Sequence, residues 1–207
     1  MGMGIAFRPL MERTERKSVK ELVEAEGGRI VSDEGLHGKD LERLIASIDL
    51  DLFGKIDTNG YELQSILNKY GVLKVENETK IIHQYYIDNI KVDVVNYPFE
   101  WISPMVEEDG VRLASPTDIA AMKVNAIEGR GTKKDFIDMY MLLQHYSLEE
   151  IIAFYQQKYP NYSTFRALRS LTYFDDAEEQ FMPRMFIGDT WEEIKQFIIN
   201  KVKTIKL

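Results

Sequence analysis

The chain contains no cysteine and only three histidines among its 207 residues. Without cysteine there are no disulfides, zinc–thiolate centres or cysteine nucleophiles. The histidines, His37, His83 and His145, are far apart in the sequence and match no HExxH zinc motif. The sequence also lacks an apolar run of the roughly 18–20 residues that span a membrane, and its first residues lack the basic-then-apolar order of a signal peptide. We therefore expect a cytoplasmic protein with no membrane partner.

Basic residues are also fewer than acidic ones. The 26 lysines and arginines and the 34 aspartates and glutamates give a formal net charge of −8. This balance argues against a surface coated in basic residues for non-specific binding of nucleic acid. It leaves room for a local basic groove, because net charge does not describe how charge is distributed. With 44% hydrophobic residues, the chain has enough apolar side chains for a sizeable core.

The first half of the chain carries the signals of a small mixed sheet. Alternation of apolar and polar residues predicts a strand over about 48–52. A short helix is predicted over 60–70, a hairpin that turns at Asp88, and one more short strand over 111–114. Before these elements, the sequence predicts a polar helix over 9–26, followed by a glycine-rich loop.

After Ser115 the pattern is helical. Ser115 precedes a proline and predicts the N-cap of a helix to about residue 128, with Asp118 favourable to the helix dipole. Further helices are predicted over 133–145, from a capping box at Ser147 to before Pro160, from Ser163, and from a capping box at Thr190. We therefore expect an α+β fold. Residues 1–114 would form a core with a small mixed sheet, and residues 115–207 a helical region packed on it.

Three aspartates are candidates for a metal site. Asp49 and Asp51 are two residues apart on the predicted strand, so their carboxylates point to the same face. Neighbouring carboxylates repel each other unless a cation lies between them, and magnesium prefers such oxygen ligands. Asp93 lies on the second strand of the hairpin. If that strand lies beside the first, three carboxylates converge and can hold two metal ions. The alternative is a solvent-facing strand edge.

A second group of charged candidates lies in the helical half. Lys123 and Arg130 are seven residues apart and share one face of the first predicted helix if that helix extends slightly. Asp135 and Asp138 share a face of the next helix, where Asp135 is suited to orient either cation. Such cations can neutralise a triphosphate as charge builds on its leaving group. The alternative is a salt-bridge network between two antiparallel helices.

These candidates occur within an ordered set of motifs. The motifs are SIDLDLF over 47–53, KVDVVNYP over 91–98, and DIAAMK over 118–123, which continues to Arg130 and to KDFID over 134–138. Over roughly residues 44–160 the sequence resembles the nucleotidyltransferase AbiEii/AbiGii toxin family. The resemblance implies a polymerase-β-like nucleotidyltransferase core, with two magnesium ions when a nucleoside triphosphate (NTP) is bound. It implies transfer of a nucleoside monophosphate to an acceptor, with RNA, above all transfer RNA, as the acceptor and a cognate antitoxin protein as a partner.

The same resemblance gives roles to individual residues. It implies that Asp49, Asp51 and Asp93 bind the metal ions and act in catalysis. The other residues to which it gives a role are Lys123 and Asp135 in catalysis, and Ser47, Lys123 and Arg130 in nucleotide binding.

One family motif is altered in this chain. Family members usually carry Gly-Gly-Thr/Ser about a dozen residues before the serine of the first motif, where it cradles phosphates. Here the nearest pair, Gly27 and Gly28, lies twenty residues before Ser47 and is followed by Arg29. We keep both glycines as candidate phosphate-binding residues. Three explanations are open: a rearranged loop in which Ser32 or another residue substitutes, a copy without catalysis, or an N-terminal segment altered at the gene level.

Two other functions are therefore also open. A small-molecule nucleotidyltransferase would suit the acidic pI, near 5.0, if its acceptor is small or cationic. A catalytically inactive nucleotide-binding or interaction module would account for the altered glycine motif.

Overall fold

A computed structural model gives the fold over residues 4–6, 49–56, 60–69, 71–87, 90–108, 111–183 and 188–205. For residues 4–6, 49, 108 and 111 it describes the backbone alone. The helix predicted over 9–26, the glycine-rich loop after it, and the candidates Gly27, Gly28 and Ser47 lie outside the described residues.

The described strands form one mixed sheet. They are β1 (Gly4–Ala6), β2 (Asp49–Gly54), β3 (Leu73–Glu78), β4 (Ile82–Ile87), β5 (Ile90–Asn96), β6 (Val106–Glu108) and β7 (Val111–Leu113). Their order across the sheet is β3-β4-β5-β2-β1-β7-β6. One helix, α1 (Gly60–Leu67), lies between β2 and β3 in the chain.

The centre of this sheet contains the strands of the predicted acidic site. β2 and β5 pair in parallel, with Asp51 directly opposite Asp93. β4 and β5 pair antiparallel, which places Gln84 opposite Asp93 on the other side. The predicted strand and hairpin are confirmed. The condition for convergence of the carboxylates, that their two strands are neighbours, is also met.

Burial of the apolar side chains determines which face of β2 and β5 presents the aspartates. Apolar residues of both strands alternate with the aspartates and pack with side chains of β4 and α1 in one core. This core consists of Leu50, Leu52, Leu63, Leu67, Tyr85, Ile87, Val92 and Val94. Burying each such side chain stabilises the fold by about 1.5–3 kcal/mol. A one-residue slip of either strand would expose its apolar set, so the register that pairs Asp51 with Asp93 is strongly specified.

Three strands, β1, β3 and β6, were not predicted from the sequence. β1 is only three residues long and pairs antiparallel with β2 and parallel with β7. A segment this short carries no periodicity, so only its distant partners define it. β3 is an edge strand whose residues are almost all exposed, and it pairs with β4 across a β-bulge. Its sequence therefore lacks the alternation that marks a half-buried strand.

The second half of the chain is helical, as predicted. The helices are α2 (Pro116–Gly129), α3 (Lys133–Leu142), α4 (Leu148–Lys158), α5 (Thr164–Ser170), α6 (Asp175–Glu178) and α7 (Trp191–Thr204). The capping boxes at Ser147 and Thr190 are present, and Thr132 makes a third with Asp135. α2 ends at Gly129, so Arg130 is its C-cap and does not extend the helical face of Lys123 as we had expected.

The chain divides into two compact units. The first contains the described strands and α1, and the second contains Phe99–Pro104 with the helices from α2 onward. The predicted α+β class is therefore confirmed. Within the described residues, no helix combines the length and apolar character needed to cross a membrane.

A buried ion pair organises the helical unit. Lys158 Nζ lies 2.6 Å from Asp118 Oδ1, and both side chains are fully buried. Asp118 also accepts hydrogen bonds from the backbone N–H groups of Ile102 and Ser103, at 3.0 and 3.2 Å, and from the Ser115 hydroxyl. These bonds fasten the Phe99–Pro104 segment to α2 and α4. Asp118 thus has a larger structural role than the dipole contribution predicted for it.

Candidate functional site

The first group of predicted site residues lies on β2 and β5. Positions 49 and 51 are on one face of β2 because residues alternate along a strand, and Asp51 faces Asp93 across the parallel pair. Asp51 is partly buried and Asp93 is buried. The sheet therefore brings two of the three predicted carboxylates to directly opposed positions, with the backbone of the third two residues away.

Among the side chains that the structure describes, Asp93 contacts Gln84 and the cation Lys91. The Lys91 ammonium donates to Asp93 Oδ2 at 2.7 Å. The Gln84 amide donates to both carboxylate oxygens, at 3.3 Å each. Asn77 in turn donates to the Gln84 carbonyl oxygen at 3.4 Å. Gln84 thus orients the carboxylate from the neighbouring strand, while Lys91 supplies the positive charge.

The chemistry of these donors suits a hard divalent cation. Carboxylate oxygens are the ligands that magnesium prefers. The contact of the Lys91 ammonium with Asp93 shows that there is room for a positive charge at this carboxylate. Among the side chains that the structure describes, no three acidic or histidine side chains converge closely enough to hold a metal ion. Asp51 and Asp93 are the two described donors of the predicted set, and the side chain of Asp49 is not among those described.

The second group of predicted residues meets in the helical unit. Asp135 accepts a two-pronged contact from Arg130, through Nε at 2.9 Å and Nη2 at 3.1 Å. Lys123 Nζ lies 3.2 Å from Asp135 Oδ1 and 2.5 Å from Asp138 Oδ2. The Thr132 hydroxyl and backbone N–H also donate to Asp135, which closes the capping box. The structure thus brings all four predicted residues together around Asp135.

Burial and charge act in opposite directions on these titrating groups. Burial alone would raise the pKa of Asp135, but the Arg130 hydrogen bonds and the Lys123 charge lower that pKa from 3.8 to about 2. Burial raises the pKa of Asp138, with Lys123 acting against it. Burial would lower the pKa of Lys123, but the two carboxylates outweigh it and raise that pKa. Asp135 is therefore ionised and Lys123 charged at neutral pH.

Exposure distinguishes the two cations of this cluster. The side chain of Arg130 is 66% exposed and that of Lys123 is 22% exposed, whereas that of Asp135 is 1% exposed. A guanidinium that is anchored by a buried carboxylate yet open to solvent is held in one orientation. Arg130 is therefore suited to meet an anion from solution.

Two residues at the strand carboxylates were missed in the sequence. Lys91 lies two residues before Asp93, and that spacing alone places it on the same face of the strand. Gln84 could have been found by counting back along the predicted hairpin: with residue 87 opposite 90, residue 84 is opposite 93, as the structure has them. Both signals were present, but a lysine or glutamine in a strand is too common to attract attention before the strand pairing is known.

The structure thus places an acidic pair of positions on β2, a further aspartate on the parallel neighbour β5, and a separate cation–carboxylate cluster in the helical unit. The chain belongs to the AbiEii family, which is described as nucleotidyl transferase toxins of type IV toxin–antitoxin systems and which matches residues 38–204. The resemblance seen in the sequence motifs is thereby confirmed.

The individual proteins to which the chain is similar share less than a third of its residues. The chain is 29% identical over 165 residues to the uncharacterised protein aq_aa25 of Aquifex aeolicus strain VF5, covering 78% of this chain and 79% of that protein. It is similar to the crystal structure of JHP933 from Helicobacter pylori, with 15% identity, a TM-score of 0.41, and coverage of 76% of this chain and 74% of JHP933. With a TM-score this low, the family assignment rests on the sequence match.

Proposed function

We propose that the protein is a magnesium-dependent nucleotidyltransferase that transfers a nucleoside monophosphate from an NTP to a hydroxyl group of RNA, and that it acts in this way as a toxin. The observation that carries the proposal is the direct opposition of Asp51 and Asp93 on parallel neighbouring strands. Membership of the AbiEii family supports the transferase and toxin parts. That the metal is magnesium and that the acceptor is RNA are parts of our proposal.

The proposed reaction is a displacement at the α-phosphorus of the NTP. The acceptor hydroxyl oxygen bonds to the α-phosphorus, the bond from that phosphorus to the bridging oxygen breaks, and pyrophosphate leaves. Asp49, Asp51 and Asp93 would hold magnesium, and one carboxylate of this set takes the proton of the acceptor hydroxyl. When bound, the metal supplies activation of that hydroxyl and stabilisation of the leaving pyrophosphate.

We assign the phosphate-binding role in the helical unit to Arg130 and Lys123. The exposure of the Arg130 guanidinium supports this role, since its planar donors match phosphate geometry. Asp135 is a positioning residue, because it contacts both cations while its own carboxylate is almost fully buried. Ser47, Gly27 and Gly28 complete the proposed nucleotide-binding set on the basis of the family resemblance.

The acceptor and the protein partner follow from the toxin assignment. A toxin of this chemical class must modify a molecule on which growth depends, and transfer RNA, with its free 3′ hydroxyl, suits the proposed reaction. The net charge of −8 predicts that RNA contacts a limited basic surface. We also propose a cognate antitoxin, in keeping with the family of toxin–antitoxin systems to which the chain belongs.

Label transfer tests this function. The purified chain is incubated with each α-labelled NTP, magnesium and total RNA, alongside the Asp49→Ala/Asp51→Ala variant. A matched control replaces Asp175, an exposed aspartate of α6, by alanine. We expect label in RNA with the wild type and the Asp175 variant, and none with the double variant.

The other outcomes identify the alternatives. Label on small cationic acceptors but not on RNA would favour a small-molecule nucleotidyltransferase. Binding of magnesium and NTP in calorimetry without transfer to any acceptor would contradict the enzymatic proposal and favour an inactive nucleotide-binding module.

A further inference from the structure

One lysine shares the face of the sheet that carries the proposed metal site. Lys91 is opposite Asp49 in the parallel pair and two residues before Asp93 on β5. Its Nζ atom is 2.7 Å from Asp93 Oδ2, while the side chain of Lys91 is 31% exposed and that of Asp93 10% exposed. The lysine therefore occupies an oxygen that a metal ion at Asp93 would need.

We propose that Lys91 is the resident counter-ion of the strand carboxylates and that it moves from Asp93 to the nucleotide phosphates when metal and nucleotide bind together. The inference rests on the proposed function, because it takes Asp51 and Asp93 as metal ligands.

The first step of the argument concerns the state without metal. Facing carboxylates repel each other, and burial of Asp93 strengthens that repulsion. One ammonium close to Asp93 offsets part of it. A divalent ion that approaches this site must then either displace the ammonium or bind beside a like charge, and both lower its affinity. Lys91 thus weakens binding of the bare metal ion.

The second step concerns the state with nucleotide. An ammonium that leaves Asp93 needs a new anionic partner, and the triphosphate supplies several oxygens. The lysine stem is long and flexible, and its hydrogen bond to Asp93 is made through one carboxylate oxygen, in contrast to the fork of Arg130 on Asp135. Gln84 holds both oxygens of Asp93 from β4. The carboxylate can therefore keep its orientation while Lys91 moves from Asp93 to phosphate.

The experiment measures Mn²⁺ binding by electron paramagnetic resonance, with the full chain and without nucleotide. Four proteins are compared: wild type, Lys91→Met, Lys91→Arg and Asp93→Asn. We expect Lys91→Met to bind Mn²⁺ about fivefold more tightly than wild type, because a like charge near the ion is removed. Lys91→Arg should stay within about twofold, since it keeps the charge. With a non-hydrolysable NTP present, Lys91→Met should bind the nucleotide about fivefold more weakly than wild type.

The outcomes separate this inference from the function on which it rests. If Lys91→Met binds Mn²⁺ no more tightly than wild type while Asp93→Asn loses binding, the role of Lys91 is overturned and the metal site stands. If Asp93→Asn binds Mn²⁺ as wild type does, the metal site itself is wrong. Should Lys91→Met fail to fold, Lys91→Gln removes the same charge with a polar side chain and is read by the same criteria.

Discussion

Asp93 in the sheet and Asp135 in the helical unit are both buried carboxylates that contact a lysine, yet their surroundings differ. Asp135 accepts three hydrogen bonds of 2.9–3.2 Å from the cations Arg130 and Lys123, and one of 2.6 Å from the Thr132 hydroxyl. Asp93 accepts one short bond from Lys91 and two long ones from Gln84. A carboxylate with its acceptor sites filled fixes its neighbours in place, whereas one with a single close cation can exchange that cation. We therefore place the chemistry at Asp93 and the positioning at Asp135.

The largest expected effect is on catalysis at Asp93. Asp93→Asn keeps the shape of the side chain but removes its charge, so metal-dependent transfer should fall by about a thousandfold or more. The free energy of unfolding should change by less than about 1 kcal/mol, because the lost ion pair is with a partly exposed lysine. Label transfer and urea unfolding measure the two quantities. A large loss of stability with little loss of transfer would make Asp93 a structural residue. The distinction drawn between Asp93 and Asp135 would then be wrong.

Asp118 is expected to give the largest effect on stability. Asp118→Asn leaves Lys158 fully buried without its anion, which typically costs about 3–5 kcal/mol. The double variant Asp118→Asn/Lys158→Met removes both charges and should recover most of that loss. Urea unfolding of the single and double variants, with Asp175→Asn as the exposed control, checks this. Equal loss in the single and double variants would contradict an effect caused by the unpaired charge.

Asp135 is also expected to make the free energy of unfolding depend on pH in the acid range. The pKa of Asp135 is lowered in the fold from 3.8 to about 2, so its ionised form favours the folded state. The corresponding stability is fully present above about pH 4 and is lost as the pH falls toward 2. It amounts to about 2 kcal/mol. The stability difference between wild type and Asp135→Asn should therefore shrink between pH 5 and pH 2. A difference that is constant over this range would show that ionisation of Asp135 does not contribute.

The smallest expected effect is at Gln84. Gln84→Met keeps the length of the side chain but removes the two long bonds that orient Asp93. We expect transfer to fall by about three- to tenfold, within the loss typical of residues that orient a metal ligand, with little change in unfolding. Steady-state kinetics against magnesium concentration measure it. A loss as large as that of Asp93→Asn would mean that Gln84 contacts the substrate itself.

Local chemistry made much of the helical half predictable. Ser115, Ser147 and Thr190 cap helices through bonds that span three residues, so the sequence alone contains both partners. The pairing of Asp118 with Lys158 spans forty residues and was not foreseen. Asp118 had only been expected to favour the helix dipole. The β1 strand was missed for the same reason, because its partners β2 and β7 are distant in the chain.

The opposition of Asp51 and Asp93 was predictable from the sequence, but the balance of charge around them was not. Alternation around Asp51 and Asp93 indicated buried strands with acidic residues on one face, and the strand pairing confirms that they face each other. The contact of Lys91 with Asp93 depends on side-chain reach along β5, and the contacts of Asp135 with Arg130 and Lys123 depend on reach between the end of α2 and the start of α3. Spacing in the sequence indicates shared faces, but it does not indicate which cation contacts which carboxylate.

The position of a bound ion tests the account most directly. Crystals grown with Mn²⁺ and a non-hydrolysable NTP would be examined by anomalous scattering at the manganese edge. We predict a manganese peak in contact with the carboxylates of Asp51 and Asp93, with Lys91 turned away from Asp93. A peak bound instead by Asp135 and Asp138, or no peak at Asp93 with the nucleotide in place, would contradict the assignment of the chemistry to the sheet.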